Sequence, residues 1–426
     1  MKIALPHISK FCRRPLAIAA GGLLLGFAAG AHAQPETPEE PPALKLSGFG
    51  TLGASYHTAP GVTVRRDISQ AQGAQGGQLS FTPDSMLAVQ ADWRISPHWD
   101  AALQLMSRAR IPNNYNPQVS WGYVKYKPAD DFSLRAGRIG IEIYLHDDSA
   151  EIGYANLPIR PAITYIPRTA NGADAEWLQP LGQGTLRGKL MAGQTIGALQ
   201  TGINAPNNIN AAPTANASLE YALNGWTARL AYFTIKTRNT APETQPGSAL
   251  YTLLNMLPNG TALRNIFDMQ NRRITTYAAA LAYDDGPLQA ALNYNRITSP
   301  HWPGQHLVYG HTGYRMENLT PYVSYAAVRS ARNFVPTGIP QGISPQTDLV
   351  NAAMAQAQTS FMANQTDFAL GLRYDFARNA ALKLQADYIR YRDPIAIIDP
   401  AQFRQNALTR NAKSLTWYAV ALDFVF

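Results

Sequence analysis

The end of the chain alternates between apolar and other side chains, as a β-strand with two different faces does. Every second position from residue 418 onward is apolar, and these positions are Tyr418, Val420, Leu422, Phe424 and Phe426. The same two-residue period recurs at 87–94, 367–376 and 382–388, where apolar and polar side chains take turns. Because stretches with the helical period are scarce, the pattern predicts an all-β protein.

Short turns divide the chain into pairs of alternating runs. Seven turns are rich in Gly, Pro, Asn and Asp, and they lie near 96–98, 128–130, 180–183, 224–225, 284–286, 317–318 and 377–379. Asn224-Gly225 and Asp285-Gly286 are the clearest, because such pairs accept the positive φ that tight hairpins require. Seven hairpins contain fourteen strands, and one unpaired run remains at each end, at 44–56 and 415–426. We therefore predict sixteen strands that close by pairing the first with the last.

The two faces of each predicted strand differ in polarity, which suits a barrel in a membrane. A Lys or Arg on the lipid side would cost about 2–4 kcal/mol near the bilayer midplane, so we assign the polar face to the lumen. The fold class predicted is an all-β, 16-stranded antiparallel transmembrane β-barrel with short periplasmic turns and long extracellular loops. The alternative from another class is a secreted, soluble all-β binding protein.

The amino-terminal segment has the composition of an export signal. Four basic and no acidic residues occur in 1–33, where an apolar run from Leu16 to Ala29 leads into Ala31-His32-Ala33. This arrangement is typical of a cleavable signal peptide. The predicted organisation is a signal peptide at 1–33, a periplasmic linker at 34–43 and a barrel domain at 44–426.

Removal of the signal also changes the charge and the thiol content. The only cysteine, Cys12, leaves with it, so the mature chain can form no disulfide. The chain has 36 basic and 28 acidic residues, and loss of the four basic residues in 1–33 leaves an excess of four. This modest excess predicts a weak preference for anions, and the absence of a Lys/Arg run argues against a nucleic-acid partner.

The strand that ends on Phe426 resembles the carboxyl-terminal signature of Gram-negative outer-membrane proteins. This resemblance implies that the barrel-assembly machinery reads the alternating apolar positions 418–426 during insertion. Two internal segments, 121–128 and the Leu-Arg-Ala-Gly-Arg run at 134–138, are similar to the trimeric 16-stranded porins. The resemblance implies a homotrimer in the outer membrane, in contact with outer-membrane lipids and lipopolysaccharide.

Long connections separate the predicted hairpins. The one that follows the fifth strand, from about 139 to 172, is similar in position to the constriction loop of the trimeric porins, which implies that it folds into the pore. It has Ile139-Gly140-Ile141-Glu142 where those porins commonly have a Pro-Glu-Phe type of tip. Two others, 57–84 and 238–273, are expected to narrow the outer mouth, and the second is predicted to contain a short helix around 248–257.

The connection after the fifth strand is rich in charge. Its acidic residues are flanked by arginines, and the predicted constriction consists of Glu142, Asp147, Asp148, Glu151, Arg135, Arg138, Arg160 and Arg168. A basic pore wall is predicted to include Lys125, Arg187, Lys189 and Arg373. Opposed charges across a narrow pore create a transverse field that favours small hydrophilic solutes. The alternative is that some of these pairs only tie the loop to the wall or bind divalent ions at the rim.

Two features of the sequence resemble a cofactor-binding motif and a metal site, but the predicted strands around them do not fit either function. Residues 48–53 match the dinucleotide-binding glycine pattern, but a strand continues after them where that motif needs a helix. We expect these glycines to allow close packing in a barrel strand. His301, His306 and His311 are five residues apart, so each one points to the opposite face of a strand from the next. We therefore predict no cofactor, no metal site and no enzymatic activity.

The function predicted from the sequence is passive diffusion of ions and small hydrophilic solutes through an outer-membrane porin. A substrate-specific outer-membrane channel is the alternative within the same class. Its signature is a single-channel current that one solute blocks.

Overall fold

The computed structural model describes residues 43–160, 167–199, 207–240, 248–268, 270–300, 302–331, 334–358, 362–393 and 414–426. Strands dominate these ranges, in the order β1 (Ala43–His57), β2 (Thr63–Val64), β3 (Ala74–Gln75), β4 (Met86–Ser96), β5 (Trp99–Arg108), β6 (Gln118–Ala129), β7 (Phe132–Gly140), β8 (Thr169–Leu181), β9 (Gly184–Leu199), β10 (Asn207–Leu223), β11 (Trp226–Thr240), β12 (Gln270–Asp285), β13 (Leu288–Ser299), β14 (Trp302–Tyr314), β15 (Leu319–Ser330), β16 (Asn364–Ala377), β17 (Ala380–Asp393) and β18 (Ser414–Val425). The predicted signal peptide and linker lie outside the described residues, except for Ala43, which begins β1.

Sixteen of these strands close into one antiparallel barrel, and β2 and β3 form a separate short ribbon. All seven predicted hairpin turns are present, as connections of two to four residues. Asn224, Gly225 and Gly286 have φ angles of 47°, 79° and 58°, a region that Gly and Asn enter most easily. The predicted strand count and turn positions are confirmed. Below, the short-turn end is the end of the barrel with these turns, and the long-loop end is the opposite one.

The barrel closes where β1 meets β18, through nine paired residues. Gly48 and Phe426 exchange two further backbone hydrogen bonds of 2.8 and 2.9 Å. A Cβ on Gly48 would lie 2.3 Å from Cζ of Phe426, and one on Gly50 would lie 2.4 Å from Cζ of Phe424. The glycine pattern at 48–53 therefore accommodates aromatic rings at the closure, in agreement with the packing role predicted for it.

The alternation along each strand separates an apolar exterior from a polar lumen. In β17, Lys383, Gln385 and Asp387 are buried inside the barrel, whereas Leu384 and Tyr388 are exposed on its outer face. The apolar positions of β16 and the last strand point outward in the same way. An exterior of this kind is what the hydrocarbon core of a bilayer requires.

The first long connection, between β1 and β4, folds into its own barrel. Its Val62 and Val64 are buried against Ile389 and Trp417 of the inner wall. Its Arg66 pairs with Asp84 at 3.4 Å near the end of the same connection. Residues of this connection therefore occupy part of the lumen at the long-loop end.

Two other long connections contain helices, α1 (Ala249–Met256), α2 (Gly260–Phe267) and α3 (Pro345–Gln358). Ser248 caps α1 by accepting a 3.1 Å hydrogen bond from the backbone N–H of Tyr251. Leu254, Leu263 and Met354 join the three helices in one apolar cluster. The helix predicted around 248–257 is confirmed as α1. In the described part of the chain, no helix has the length and apolar character needed to cross a membrane.

Candidate pore constriction

The connection between β7 and β8 lies inside the barrel. The backbone N–H of Leu145 donates to the Asn293 side chain on β13 (3.1 Å), and that of Ile159 donates to Gln385 on β17 (2.9 Å). Between these points, Arg373 on β16 donates to the carbonyl oxygen of Tyr154 (2.8 Å). Contacts with strands so far from β7 show that the loop crosses the lumen, which confirms the predicted infolding. We call residues 141–168 the pore loop.

Glu142 ties the start of the pore loop to the wall formed by β9 and β10. Its carboxylate lies 2.5 Å from Nζ of Lys189 and 2.9 Å from Nη2 of Arg187. The Asn216 side chain also accepts from the backbone N–H of Glu142 and donates to its carbonyl oxygen. Burial alone would raise the pKa of Glu142, but Lys189, Arg187 and Arg229 lower that pKa well below its usual value. A buried carboxylate held by two cations is a strong anchor.

Apolar packing supports the same anchor. Ile141, Ile143 and Tyr144 at the start of the pore loop are buried in a cluster with inward-facing Phe233 and Leu307 of the wall. This part of the lumen is therefore filled by side chains, and the loop has little freedom to leave it.

The turn of the pore loop is stabilised from within by Asp147. Its Oδ2 accepts two hydrogen bonds of 2.7 Å from the backbone N–H groups of Ile143 and Tyr144. Burial raises the pKa of the Asp147 carboxyl to about 6, although these hydrogen bonds and Arg168 act in the opposite direction. Burial and the nearby Glu142 also raise the pKa of Asp148.

Glu151 faces arginines across the loop. It lies 3.8 Å from Arg108 at the end of β5 and 3.4 Å from Arg168. Arg108 also pairs with Asp67 of the first long connection at 2.9 Å. Burial alone would raise the pKa of Glu151, but Arg108, Arg168 and Arg66 lower it to about 2. Glu151 is therefore a charged link between the pore loop, β5 and the first connection.

A second anchor holds the middle of the pore loop against β16, β17 and β18. Lys383 donates to the carbonyl oxygens of Gly153 and Asn156, both at 2.6 Å, and pairs with Asp423 at 2.9 Å. Arg373 reaches the carbonyl oxygen of Asn156 at 3.3 Å. The basic side chains here bind backbone carbonyl groups of the loop as well as carboxylates.

Arg160 links the end of the described pore loop to the barrel. Its guanidinium pairs with Asp84 at 2.6 Å and with Asp387 on β17 at 3.1 Å, and it lies 3.3 Å from the ring centroid of Trp417. Two carboxylates and one indole ring surround it, so Arg160 is held in a single position by the wall.

The remaining predicted wall residues lie on β6, β7 and β9. Arg135 forms a two-point contact with Asp174, at 3.0 and 2.7 Å. Arg187 bridges Glu142 to Glu176, the latter at 2.9 Å. Lys125 is half-buried on the lumen side of β6, opposite Arg135 in the register.

A cavity of about 400 Å³ separates the pore loop from the ends of β5, β6, β7, β9 and β10. Five of the eight predicted constriction residues line it, namely Arg138, Asp147, Asp148, Glu151 and Arg168. The other three, Glu142, Arg135 and Arg160, take part in the wall contacts described above. Asp67, Arg108 and Arg110 also line the cavity, and none of the three was predicted from the sequence to belong to the constriction.

Some arginines of this cavity form ion pairs and others do not. Arg108 pairs with Asp67, and Arg168 pairs with Glu151. Among the residues that the structure describes, the partners of Arg110 are neutral, at 3.1 Å to Gln118 and 3.4 Å to the Met106 sulfur. Arg138 has no carboxylate within ion-pair distance among the described residues, and its Nε is buried without a hydrogen-bond acceptor there. Arg110 and Arg138 are thus the two arginines of this cavity without an ion-pair partner among the described residues.

The histidines are distributed as the strand geometry predicts. His306 is exposed on the outside of β14, and His311 is buried inside it. His301 lies outside the described residues. Among the described residues, no group of three His, Cys, Asp or Glu side chains is placed to hold a metal ion.

Comparison with known proteins defines the class of fold. Neither the family models nor the curated protein sequences include a match to this chain. Three solved structures are similar over 90–91% of this chain and 97–100% of their own, with 9–13% identity. They are the outer-membrane channel DcaP of Acinetobacter baumannii (10% identity, TM-score 0.53), Salmonella typhi OmpF in complex with daunomycin (13%, 0.52) and a loop-deleted OmpT, an outer-membrane protein of Vibrio cholerae (9%, 0.50). The chain therefore has the 16-stranded barrel fold of the Gram-negative outer-membrane porins, which confirms the resemblance at the level of the fold.

Proposed function

We propose that this chain is an outer-membrane porin through which ions and small hydrophilic solutes diffuse passively. The closed barrel, its apolar exterior and a charged loop inside its polar lumen support this function. The proposal includes a homotrimer, as the resemblance to trimeric porins implies, and no catalytic activity. Export by the predicted signal peptide and recognition of the 418–426 strand by the barrel-assembly machinery complete it.

The observation that carries the proposed ion preference is that Arg110 and Arg138 of the cavity have no carboxylate partner in the part of the chain that the structure describes. The acidic residues Asp67 and Glu151 are neutralised by their own arginines, and Asp147 is bound by backbone N–H groups. Asp148 also lines the cavity, so four carboxyl groups face four arginines there. Burial raises the pKa of Asp147 and of Asp148, so protonation of these two carboxyls leaves Arg110 and Arg138 as an excess of positive charge. Such an excess attracts anions and repels cations at a constriction, so we propose a weak anion preference.

Reversal potentials in a salt gradient test this proposal with one charge change. Arg138→Glu should shift the reversal potential toward cation selectivity, because it replaces an unpaired cation beside the cavity by an anion. Arg378→Glu is the matched control, since it makes the same change at an exposed turn at the short-turn end. If both variants keep the wild-type reversal potential, Arg138 does not contribute to the ion filter. If no channels appear with the wild-type protein, the porin function itself is contradicted.

Asp147 predicts a pH dependence of the same selectivity. The pKa of its carboxyl is raised to about 6, so its negative charge is present above pH 6 and is lost as the pH falls through that value. Anion selectivity should therefore increase as the pH is lowered from 7 to 5. Asp147→Asn should show higher anion selectivity than the wild type at pH 7 and a smaller change between the two pH values, since Asp148, whose pKa is also raised, still titrates in the cavity. A wild-type reversal potential that stays constant over this range would contradict the assignment.

A substrate-specific channel is the second candidate, and one observation favours it. Two connections, the first loop and the pore loop, both fold into the lumen and are joined there by the Arg108 contacts to Asp67 and Glu151. A lumen occupied by two inserts leaves less room for unselective passage. Ohmic conductance without solute block supports the general porin, whereas block of the ion current by one solute class at saturating concentration supports the specific channel.

A gel assay tests the proposed assembly. A folded trimer should migrate as a compact band in SDS without heating and collapse to a monomer band after boiling. A chain that is soluble at high concentration without detergent would contradict the membrane location.

A further inference from the structure

Several polar atoms that line the cavity beside the pore loop are buried and have no hydrogen-bond partner among the described residues. Most of them are donors, namely Nε of Arg108, Arg110 and Arg138 and Oγ of Ser120. The acceptors are Oε1 of Gln104 and Oε2 of Glu151. Buried polar groups in proteins are almost always paired. A cavity whose buried donors lack acceptors is therefore suited to a ligand that accepts hydrogen bonds.

Two of these donors belong to guanidinium groups that have no ion-pair partner in the part of the chain that the structure describes. Burial lowers the pKa of Arg110 to about 10, and Arg108 and Arg138 act in the same direction, although Glu151 and Asp67 oppose them. Arg110 and Arg138 are thus close enough to repel each other. A guanidinium group matches a carboxylate through two parallel hydrogen bonds, so a carboxylate bound here would remove the repulsion.

The carboxyl groups of the cavity leave this place open to an anion. Asp67 and Glu151 pair with other arginines, and Asp147 accepts hydrogen bonds from the backbone. Burial raises the pKa of Asp148, which favours its neutral form. An anionic solute is therefore attracted by two arginines and meets weak repulsion from the pore loop.

Much of the remaining cavity wall is apolar. Phe49, Met106 and Ile152 belong to one packed cluster that joins β1, β5 and the pore loop, and all three line the cavity. Trp121 of β6 lines it as well, and its ring lies against Gly140, where a Cβ would be 2.5 Å from Cζ3 of the indole. Small-molecule sites have this composition, with apolar walls and a few polar groups that fix the orientation of the ligand. The volume of about 400 Å³ is also in their range.

We propose that this cavity binds a small monocarboxylate with an aromatic body. The carboxylate accepts hydrogen bonds from Arg110, Arg138 and Ser120, and the aromatic body packs against Trp121 and Phe49. The inference rests on the proposed channel function, because the solute reaches the cavity through the lumen, and it names the class of solute that the channel prefers. A simple anion would use only the arginines, and a neutral aromatic solute would use only the apolar wall.

Calorimetric titration of the folded, full-length protein in detergent tests the inference, with 3-phenylpropionate as the probe. 3-Phenylpropanol has the same aromatic body without the charge, and propionate has the charge without the ring. 3-Phenylpropionate should bind about tenfold more tightly than either, because it alone engages both parts of the site. In planar bilayers, 3-phenylpropionate should block the ion current at a correspondingly lower concentration.

Variants separate the two parts of the site. Arg110→Gln/Arg138→Gln should weaken the binding of 3-phenylpropionate about 30-fold and leave that of 3-phenylpropanol unchanged. Trp121→Leu should weaken the binding of both aromatic solutes about fivefold and leave that of propionate unchanged. Lys45→Gln/Arg378→Gln is the matched control, since it removes two exposed basic residues near the short-turn end, and it should bind like the wild type. The compact band in unheated SDS gels shows which variants are folded.

Three results would overturn the proposal. Equal binding of propionate would make the cavity a site for anions in general, and equal binding of 3-phenylpropanol would assign binding to the apolar wall. The third is an absence of 3-phenylpropionate binding by the wild type. Ion conductance without such binding removes the inference and leaves the porin function intact, whereas binding by a protein that forms no channels contradicts the porin function and not the site.

Discussion

Gly48→Val is expected to prevent most of the protein from closing into a folded barrel. A Cβ on Gly48 would lie 2.7 Å from the carbonyl oxygen of Ala88 and 2.3 Å from Cζ of Phe426. The ring can move, but the carbonyl belongs to the neighbouring strand and cannot. Overpacking costs about 1–3 kcal/mol even in well-adapted cores, and an unclosed edge in a bilayer adds several kcal/mol for each unpaired backbone group. The fraction that migrates as the compact band in unheated SDS gels measures the loss.

Gly50→Val separates backbone from side-chain crowding at the same closure. The three nearest atoms to a Cβ on Gly50 all belong to the ring of Phe424. Gly50→Val should therefore be destabilising alone and recover in combination with Phe424→Ala, whereas Gly48→Val should not recover when Phe426 is shortened to alanine. Ala54→Val is the control on the same outward face of β1, opposite Val420. Equal folding of all these variants would show that the closure does not depend on the glycines.

The number of strands, and which side chains point into the lumen, could be predicted because both depend on residues that are close together in the sequence. A two-residue period and the turn chemistry of pairs such as Asn224-Gly225 depend only on neighbouring residues. The ribbon of β2 and β3 and the helix α3 were not predicted. The buried positions of the ribbon and of α3 are set by contacts with distant parts of the chain, such as Val64 with Trp417 and Met354 with Leu254.

The candidate site was predictable only in part, for a related reason. Arg138, Asp147, Asp148, Glu151 and Arg168 line one cavity because they are close in sequence and lie at the start, the turn and the end of one loop. Arg108 lies at the end of β5 and Arg110 in the connection that follows it, both more than 25 residues before Arg138 in the sequence. Their approach to the pore loop follows from barrel curvature and loop path, which no local pattern contains.

The pairing of Glu142 with Lys189 illustrates the same point. Both residues could be identified from the sequence as charged groups of the pore, one in the loop and one in the wall. Their 2.5 Å contact arises because the loop turns along β9 immediately after β7 ends. The contact makes Glu142 an anchor of the loop as well as a member of its charge pattern, and this role has a measurable consequence.

Glu142→Ala is expected to destabilise the protein and to release the start of the pore loop. Lys189 is 1% exposed. Removal of the carboxylate leaves a buried ammonium whose one remaining ion-pair partner among the described residues is Asp174, 3.4 Å away. Breaking a buried ion pair on one side costs about 3–5 kcal/mol. Denaturant unfolding measures this loss, and single-channel recording should show a larger and noisier conductance because residues 141–145 no longer hold to the wall.

The double variant Glu142→Met/Lys189→Met distinguishes charge from packing at this anchor. Replacing both members of a buried pair by apolar side chains is often close to neutral, so the double variant should be more stable than Glu142→Ala. Asp174 keeps its two-point contact with Arg135 in that background, and the apolar packing of Ile141 and Ile143 is retained. The double variant should therefore conduct like the wild type. If Glu142→Ala also keeps wild-type conductance and stability, the loop is held by that apolar cluster alone and the ion pair is not its anchor.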